Sequence, residues 1–205
     1  SIDGKPVTSA RDLAEYLVGR AGEATQLCLV SRIAGRRCAD VVPTDNETPF
    51  RFAAWRDANL ARVTELSGGR LGYIHMSDTI QSGMRQFNQA RYAQHGREGF
   101  VLDVRYNNGG YAADYVIQQL GLPPMSRMVL PHGRSVATPG ARLGGPKALL
   151  INAYCGSGCD TLAWYFRRFE VGPLVGTPTW GGVSGSGLMP FLRDGKTATI
   201  GVARS

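Results

Sequence analysis

The sequence lacks the segments that mark membrane and secreted proteins. No apolar run approaches the ~18–20 residues needed to span a bilayer. No basic stretch followed by an apolar one opens the chain, as a signal peptide would. The missing spanning run argues against a membrane partner, whereas the missing signal peptide carries little weight because "SIDGKPVTS" already reads as the middle of a domain. The compartment stays open, and the cytoplasm is favoured.

Histidine and cysteine are scarce, with three and four residues. Cys155 and Cys159 have a C-x3-C spacing, but no second cysteine or histidine pair follows to complete a zinc site. A disulfide between them would strain a turn that enters a helix. We therefore predict no metal and no cofactor, and we expect both thiols to be reduced and packed as small residues.

An aromatic–basic pattern typical of nucleic-acid binding is also missing. The chain has 205 residues, 43% of them hydrophobic, and a net charge of +7. Its basic residues are scattered and form no stacking platform with aromatic residues, so no nucleic-acid partner is predicted. The composition is that of a globular protein with one sizeable core, or of one domain plus a fragment of another.

Strand and helix patterns alternate along the chain. Apolar strands are predicted at "RLGYIHM", "FVLDV" and "KALLIN", and helices at "RFAAWRDANLARVTELS", "AADYVIQQL" and "DTLAWYFRRF". This order predicts an α/β fold with a largely parallel or mixed sheet. Residues 35–50 are expected to be irregular, residues 121–146 to form a long loop, and the last residues to close a hairpin.

The stretch "CGSGCD" places Ser157 between two glycines, in the turn from a buried strand to a helix. Free N–H groups at a helix N-terminus favour negative charge, and flanking glycines allow strained backbone angles. Ser157 is therefore either a nucleophile beside the Gly158 N–H or simply a small residue in a tight turn.

A second glycine turn, "RYNNGGY", also follows a buried strand and could supply another N–H donor. A serine nucleophile needs a base. His75 ends a predicted strand, whereas His95 lies at a helix end and His132 in the long loop. His75 is therefore the best placed of the three histidines.

Four blocks in order, "GRLGYIHMSDT", "LDVRYNNGG", "NAYCGSGCD" and "VGTPTWGGVSG", resemble the tricorn core peptidases, relatives of the carboxyl-terminal processing serine peptidases. The resemblance implies a crotonase/ClpP-like mixed sheet with helices and a serine peptidase acting on peptides, homo-oligomeric at full length. It matches Ser157 to the nucleophile, His75 to the general base, and Gly158 with Gly109 to the oxyanion donors, with Gly110 as the alternative to Gly109.

The last block separates the two branches of this superfamily. The processing peptidases carry a lysine base in a T-F-G-K-G motif, and Gly182 stands at that lysine position here. The base is therefore expected to be His75. The glutamate that orients the histidine in the tricorn family has no match before Ser205, so the catalytic core is expected to be truncated at its C-terminus.

The resemblance also implies a domain organisation. Residues 1–34 resemble the C-terminal half of a PDZ domain, residues 35–69 form a linker and helical segment, and residues 70–205 form the catalytic core. The alternative function is a non-catalytic ligand- or peptide-binding module, because the same fold also serves retinoid-binding repeats.

Overall fold

The computed structural model describes residues 1–9, 12–188 and 199–204 of the chain. Contacts divide the chain into two compact units, Ser1–Trp55 and Arg56–Ser205. The sequence-based boundary at residue 34 falls in the turn between two paired strands of the first unit. No helix among the described residues is long and apolar enough to cross a membrane.

The first unit is built on a two-stranded antiparallel hairpin, β1 (Thr25–Ser31) and β2 (Gly35–Val41). Cys28 and Cys38 lie directly opposite each other in this ladder and form a disulfide. A short 3-10 helix, Leu13–Leu17, precedes the hairpin and is capped by Asp12, whose carboxylate accepts the Ala14 N–H at 3.0 Å. The helix α1 (Thr48–Leu66) begins in this unit and continues into the second.

The second unit contains a four-stranded parallel sheet in the order β3-β4-β7-β8. Helices follow β3, β4 and β7, as expected for parallel strands joined by crossover connections. The elements are β3 (Leu71–His75), α2 (Gln81–Ala93), β4 (Gly99–Asp103), α3 (Ala113–Gly121), β5 (Ser126–Val129), β6 (Ser135–Thr138), β7 (Lys147–Ile151), α4 (Gly158–Arg168), β8 (Leu174–Gly176), β9 (Ser184–Leu188) and β10 (Thr199–Arg204).

The central strands lie in a continuous apolar core. Leu102 and Leu149 of β4 and β7 are fully buried, as are Phe87 of α2 and Phe166 of α4. Strands covered on both faces read as unbroken apolar runs, which explains "FVLDV" and "KALLIN". Burial of each such side chain stabilises the fold by about 1.5–3 kcal/mol, so the core holds the carboxyl ends of the strands in fixed positions.

The structure confirms the α/β class and corrects two local expectations. Residues 35–41 form β2 rather than irregular chain; both faces of this strand are largely exposed, so it carries no apolar alternation. Residues 121–146 contain the hairpin β5–β6 in place of a continuous loop. The strands β9 and β10 pair antiparallel near the end of the chain, and β10 overlaps the predicted strand "TATIGV". The predicted first strand "LMPFL" overlaps β9 only at Leu188, and its other residues and the turn "RDGK" lie outside the described residues.

Candidate active site

Three turns meet at the carboxyl edge of the parallel sheet. They follow β3, β4 and β7, and ligands of open α/β sheets bind at this edge. The turns after β3 and β4 are joined by main-chain hydrogen bonds from Thr79 N–H to Gly109 C=O at 2.8 Å and from Asn108 N–H to Ser77 C=O at 3.1 Å. The structure therefore brings the "HMSDT" and "NNGG" blocks together.

Ser157 has a strained backbone in the turn that enters α4. Its φ is 56° and its ψ is −117°, and the residue is exposed to solvent. A non-glycine residue at such angles costs about 1–3 kcal/mol and persists only where its surroundings impose it. Ser157 directly precedes Gly158, the first residue of α4, so it lies at the positive end of the helix dipole.

A disulfide between Cys155 and Cys159 brackets this turn, and both cysteines are fully buried. The expectation of two reduced thiols is therefore wrong. The two Cα atoms are 5.4 Å apart, within the range that a disulfide bridges. The error came from the assumption that a bridge between the two cysteines would strain the turn. Cys155 in fact precedes the turn, and Cys159 lies in the first turn of α4.

Glycines allow the three turns to pack closely. A Cβ on Gly109 would lie 2.8 Å from both the Gly158 nitrogen and the Ser157 Cβ. A Cβ on Gly158 would lie 2.1 Å from the Gly110 carbonyl oxygen and 2.6 Å from its nitrogen. Real Cβ atoms do not approach other atoms this closely, so only glycine fits either position.

The candidate oxyanion donors differ in what they contact. The Gly109 N–H donates to the side-chain oxygen of Asn107 at 2.8 Å. The N–H groups of Gly110 and Gly158 donate to none of the residues in the described ranges. Gly109 is also buried, whereas Gly110 is half-buried. Of the two alternatives that the sequence left open, the Gly110 N–H is therefore the better placed to donate to a new acceptor.

His75 is the last residue of β3 and is buried. Burial lowers the pKa of its imidazole below the usual value, although the nearby Asp103 carboxylate and a hydrogen bond to the Arg105 backbone act in the opposite direction. The ring is therefore neutral near pH 7 and able to accept a proton. It lines a cavity of about 470 Å³ together with Tyr73 and Gln86.

Asp103 lies beside His75 in the parallel ladder and is fully buried. Its carboxylate accepts hydrogen bonds from the Tyr73 hydroxyl at 2.7 Å and from Arg105 at 2.6 Å and 2.9 Å. Burial and the contact with Asp103 raise the pKa of Tyr73, so its hydroxyl stays protonated. This cluster was not predicted; its only signal in the sequence is Asp103 directly after "FVL", with Arg105 two residues further on.

The other two histidines belong to none of the three turns, since His95 follows α2 and His132 lies between β5 and β6. His95 and His132 are both exposed, and the His95 ring contacts the Tyr92 carbonyl within its own helix end. No group of three or more histidine, cysteine, aspartate or glutamate side chains in the described part of the chain could hold a metal ion.

The loop after β8 folds back onto the serine turn. The Trp180 N–H donates to the Cys155 carbonyl at 3.0 Å. The buried Asp160 of α4 accepts the N–H groups of Gly181 and Gly182 at 2.8 Å and 3.1 Å. Gly182, at the position of the lysine in the processing peptidases, is thus held close to the beginning of α4.

Comparison with known proteins extends over nearly the whole chain. The chain is 35% identical over 204 residues to tricorn protease homolog 1 of Streptomyces coelicolor, covering 97% of this chain and 19% of that protein. It is 29% identical over 198 residues to the tricorn protease of Thermoplasma acidophilum, covering 97% and 18%. The chain thus spans about a fifth of the length of these relatives.

A crystal structure of the tricorn protease superposes with a TM-score of 0.86 at 29% identity, covering 97% of this chain and 20% of that one. This match confirms the fold class and the resemblance to tricorn proteases. Residues 70–205, which contain all three turns, match peptidase family S41. The chain therefore belongs to peptidase family S41.

Proposed function

We propose that this chain carries the catalytic centre of a serine peptidase in which Ser157 is the nucleophile. The observation that carries the proposal is the backbone of Ser157, an exposed serine at φ 56° and ψ −117° at the N-terminus of α4. Strained angles cluster at active sites because the surrounding structure must hold them. Here the flanking disulfide and the closely packed glycines do so.

His75 acts as the general base in this proposal. The Ser157 Oγ attacks the carbonyl carbon of the scissile peptide bond, and its proton passes to the neutral imidazole. His75 then donates that proton to the leaving amine. Water hydrolyses the resulting acyl-enzyme with His75 again as the base. The lowered pKa of His75 suits this role, since the imidazole is unprotonated when the substrate arrives.

The N–H groups of Gly158 and Gly110 form the oxyanion hole. The carbonyl oxygen becomes negative in the tetrahedral intermediate, and two fixed N–H donors stabilise it. Gly158 adds the favourable dipole of α4. Gly109, the first choice from sequence, instead closes the turn through Asn107. No metal or cofactor enters these steps.

The substrates in this proposal are peptides, and the full-length protein is a homo-oligomer with a PDZ-like segment at residues 1–34. The peptide substrates are supported by the similarity to tricorn proteases. The homo-oligomer and the PDZ-like segment rest on the sequence resemblance alone. Residues 121–147 contain no aspartate or glutamate but five basic or histidine side chains. An apolar or acidic substrate residue is therefore favoured over a basic one near this segment.

The test is covalent labelling of the full-length protein with a fluorophosphonate probe, followed by mapping of the modified peptide. We expect one labelled residue, Ser157, and loss of both labelling and peptide hydrolysis in Ser157→Ala. Ser186→Ala is the matched control because Ser186 also stands in a Gly-Ser-Gly tripeptide. Absence of labelling in the folded wild-type protein would instead favour a ligand-binding module of the same fold.

A further inference from the structure

Asn107 connects the three turns of the candidate site and is fully buried. Its side-chain NH2 donates to the Met76 carbonyl at 2.9 Å, in the turn after β3. Its side-chain oxygen accepts the Gly109 N–H at 2.8 Å, within the turn after β4. Its main-chain carbonyl accepts the Gly156 N–H at 3.2 Å, in the turn after β7.

Each of these hydrogen bonds ends next to a group with a proposed role. Met76 is the residue after His75, and Gly156 is the residue before Ser157. Gly109 precedes Gly110, so the bond to Asn107 fixes the orientation of the chain that leads to the Gly110 N–H. One buried residue therefore touches the neighbours of the base, the nucleophile and one oxyanion donor.

We propose that Asn107 is a positioning residue that sets the mutual placement of His75, Ser157 and the Gly110 N–H. This inference rests on the proposed peptidase function of those three groups. Its contacts are all to backbone, so Asn107 acts through the turns and does not touch the substrate. Errors of about 1 Å in the placement of reacting groups can reduce rates about 10²-fold.

The chemistry of the amide explains why asparagine suits this position. Asparagine both donates and accepts from one short side chain. An ionised aspartate would still accept the Gly109 N–H but would place negative charge against the Met76 carbonyl. A serine could retain a local bond to the Gly109 N–H, but its shorter side chain would not reach Met76.

The same fold offers a matched control in Gln94. Its side-chain NH2 donates to the Tyr73 carbonyl at 2.8 Å, and its side-chain oxygen accepts the Tyr73 N–H at 2.9 Å. Gln94 thus makes two amide-to-backbone hydrogen bonds in the same unit, but at the middle of β3 rather than at the three turns. Asn107→Asp and Gln94→Glu each remove an NH2 donor and keep an acceptor.

The experiment measures kcat, KM, the rate of fluorophosphonate labelling and the melting temperature of the full-length protein and its variants. We expect Asn107→Asp to lower kcat and the labelling rate about 10²-fold, with KM within about threefold of wild type. Asn107→Ser, which covers the case that the aspartate variant does not fold, should lower kcat about 10-fold. Gln94→Glu should lower the melting temperature by a few degrees, and since Gln94 lines the cavity that His75 also lines, it should lower kcat, but by less than either Asn107 variant.

The outcomes separate the two proposals. If Ser157→Ala keeps full activity and labelling, the proposed function and this inference are both overturned. If Ser157→Ala is inactive while a folded Asn107→Asp or Asn107→Ser variant retains wild-type kcat, only the role of Asn107 is overturned. An equal loss of kcat in Gln94→Glu and Asn107→Asp would also overturn it, because the effect would then follow from general destabilisation.

Discussion

The two units of the chain differ in what stabilises each of them internally. In the described part of the first unit, only Ile2 and Cys28 are buried apolar residues, and a disulfide joins the two strands of its hairpin. The second unit has a continuous core around the parallel sheet, and its disulfide lies at the serine turn. The cross-link therefore supports folding in the first unit and local geometry in the second.

The largest contrast should come from truncating one leucine in each unit. Leu102 is fully buried in β4, whereas Leu29 in β1 is 76% exposed. We expect Leu102→Ala to lower the free energy of unfolding by about 2–5 kcal/mol because it leaves a cavity. Leu29→Ala should change it by less than about 0.5 kcal/mol. Urea titration followed by circular dichroism measures both; similar values would contradict the division into a core-built unit and a hairpin-built one.

Removal of each disulfide should sharpen the contrast. The two cross-links close loops with sequence separations of 10 and 4, so their loss should cost about 3 and about 2 kcal/mol. Only Cys155→Ala/Cys159→Ala should also lower kcat, since that pair brackets Ser157. Cys28→Ala/Cys38→Ala is its control. Equal kcat values in the two double variants would show that the serine turn keeps its shape without the cross-link.

Neither the first disulfide nor the second strand of its hairpin was predicted. Cys28 and Cys38 pair because they lie opposite each other in the hairpin, but "GRRCADV" lacks the alternation of a half-buried strand because both of its faces are largely exposed. By contrast, β4 and β7 were predicted correctly, because each has an unbroken apolar run, "FVL" and "ALLI", as is typical of strands in a parallel sheet.

The positions of the candidate site residues at strand ends were predictable because the apolar strands could be recognised in the sequence. Once β3 and β7 were recognised, parallel pairing brought the turns after them to one edge of the sheet. The bonds of Asn107 were not predictable, because its reach to Met76 depends on packing between turns 31 residues apart. Only its local bond had a sequence signal, an asparagine two residues before a glycine.

The stability of the protein should depend on pH through His75 but not through His95. Its pKa is lowered below 6.5 in the folded protein, so the unfolded chain binds more protons as the pH falls through that value. Stability should therefore fall as the pH drops below about 6.5, and kcat/KM should fall at still lower pH, where the folded imidazole becomes protonated. His75→Gln should remove this part of the pH dependence of stability, whereas the exposed His95→Gln should keep it. Urea titrations between pH 4.5 and 8 test this at roughly half-unit steps.

The smallest effect should come from a pair of buried threonines. Thr25 in the first unit donates its hydroxyl proton to the Glu23 carbonyl at 3.2 Å, whereas the Thr79 hydroxyl has no hydrogen-bond partner among the described residues. Thr25→Val should lower the free energy of unfolding by about 1 kcal/mol, and Thr79→Val should leave it unchanged or slightly raised. Thermal unfolding of the two variants measures the difference. A clear loss of stability in Thr79→Val would show that its hydroxyl is bonded in solution.

Trp180 restricts the choice of residue at two other positions in the sequence. A Cβ on Gly156 would lie 2.9 Å from the indole ring, and one on Gly182 would lie 2.1 Å from it. Trp180 is 69% exposed, so its indole ring packs beside Gly156 and Gly182 while remaining largely open to solvent. Positions 156, 180 and 182 are consequently expected to evolve together. A lineage that replaces the tryptophan with a small residue gains space for side chains at both glycine positions. A lineage that keeps the tryptophan should keep both glycines.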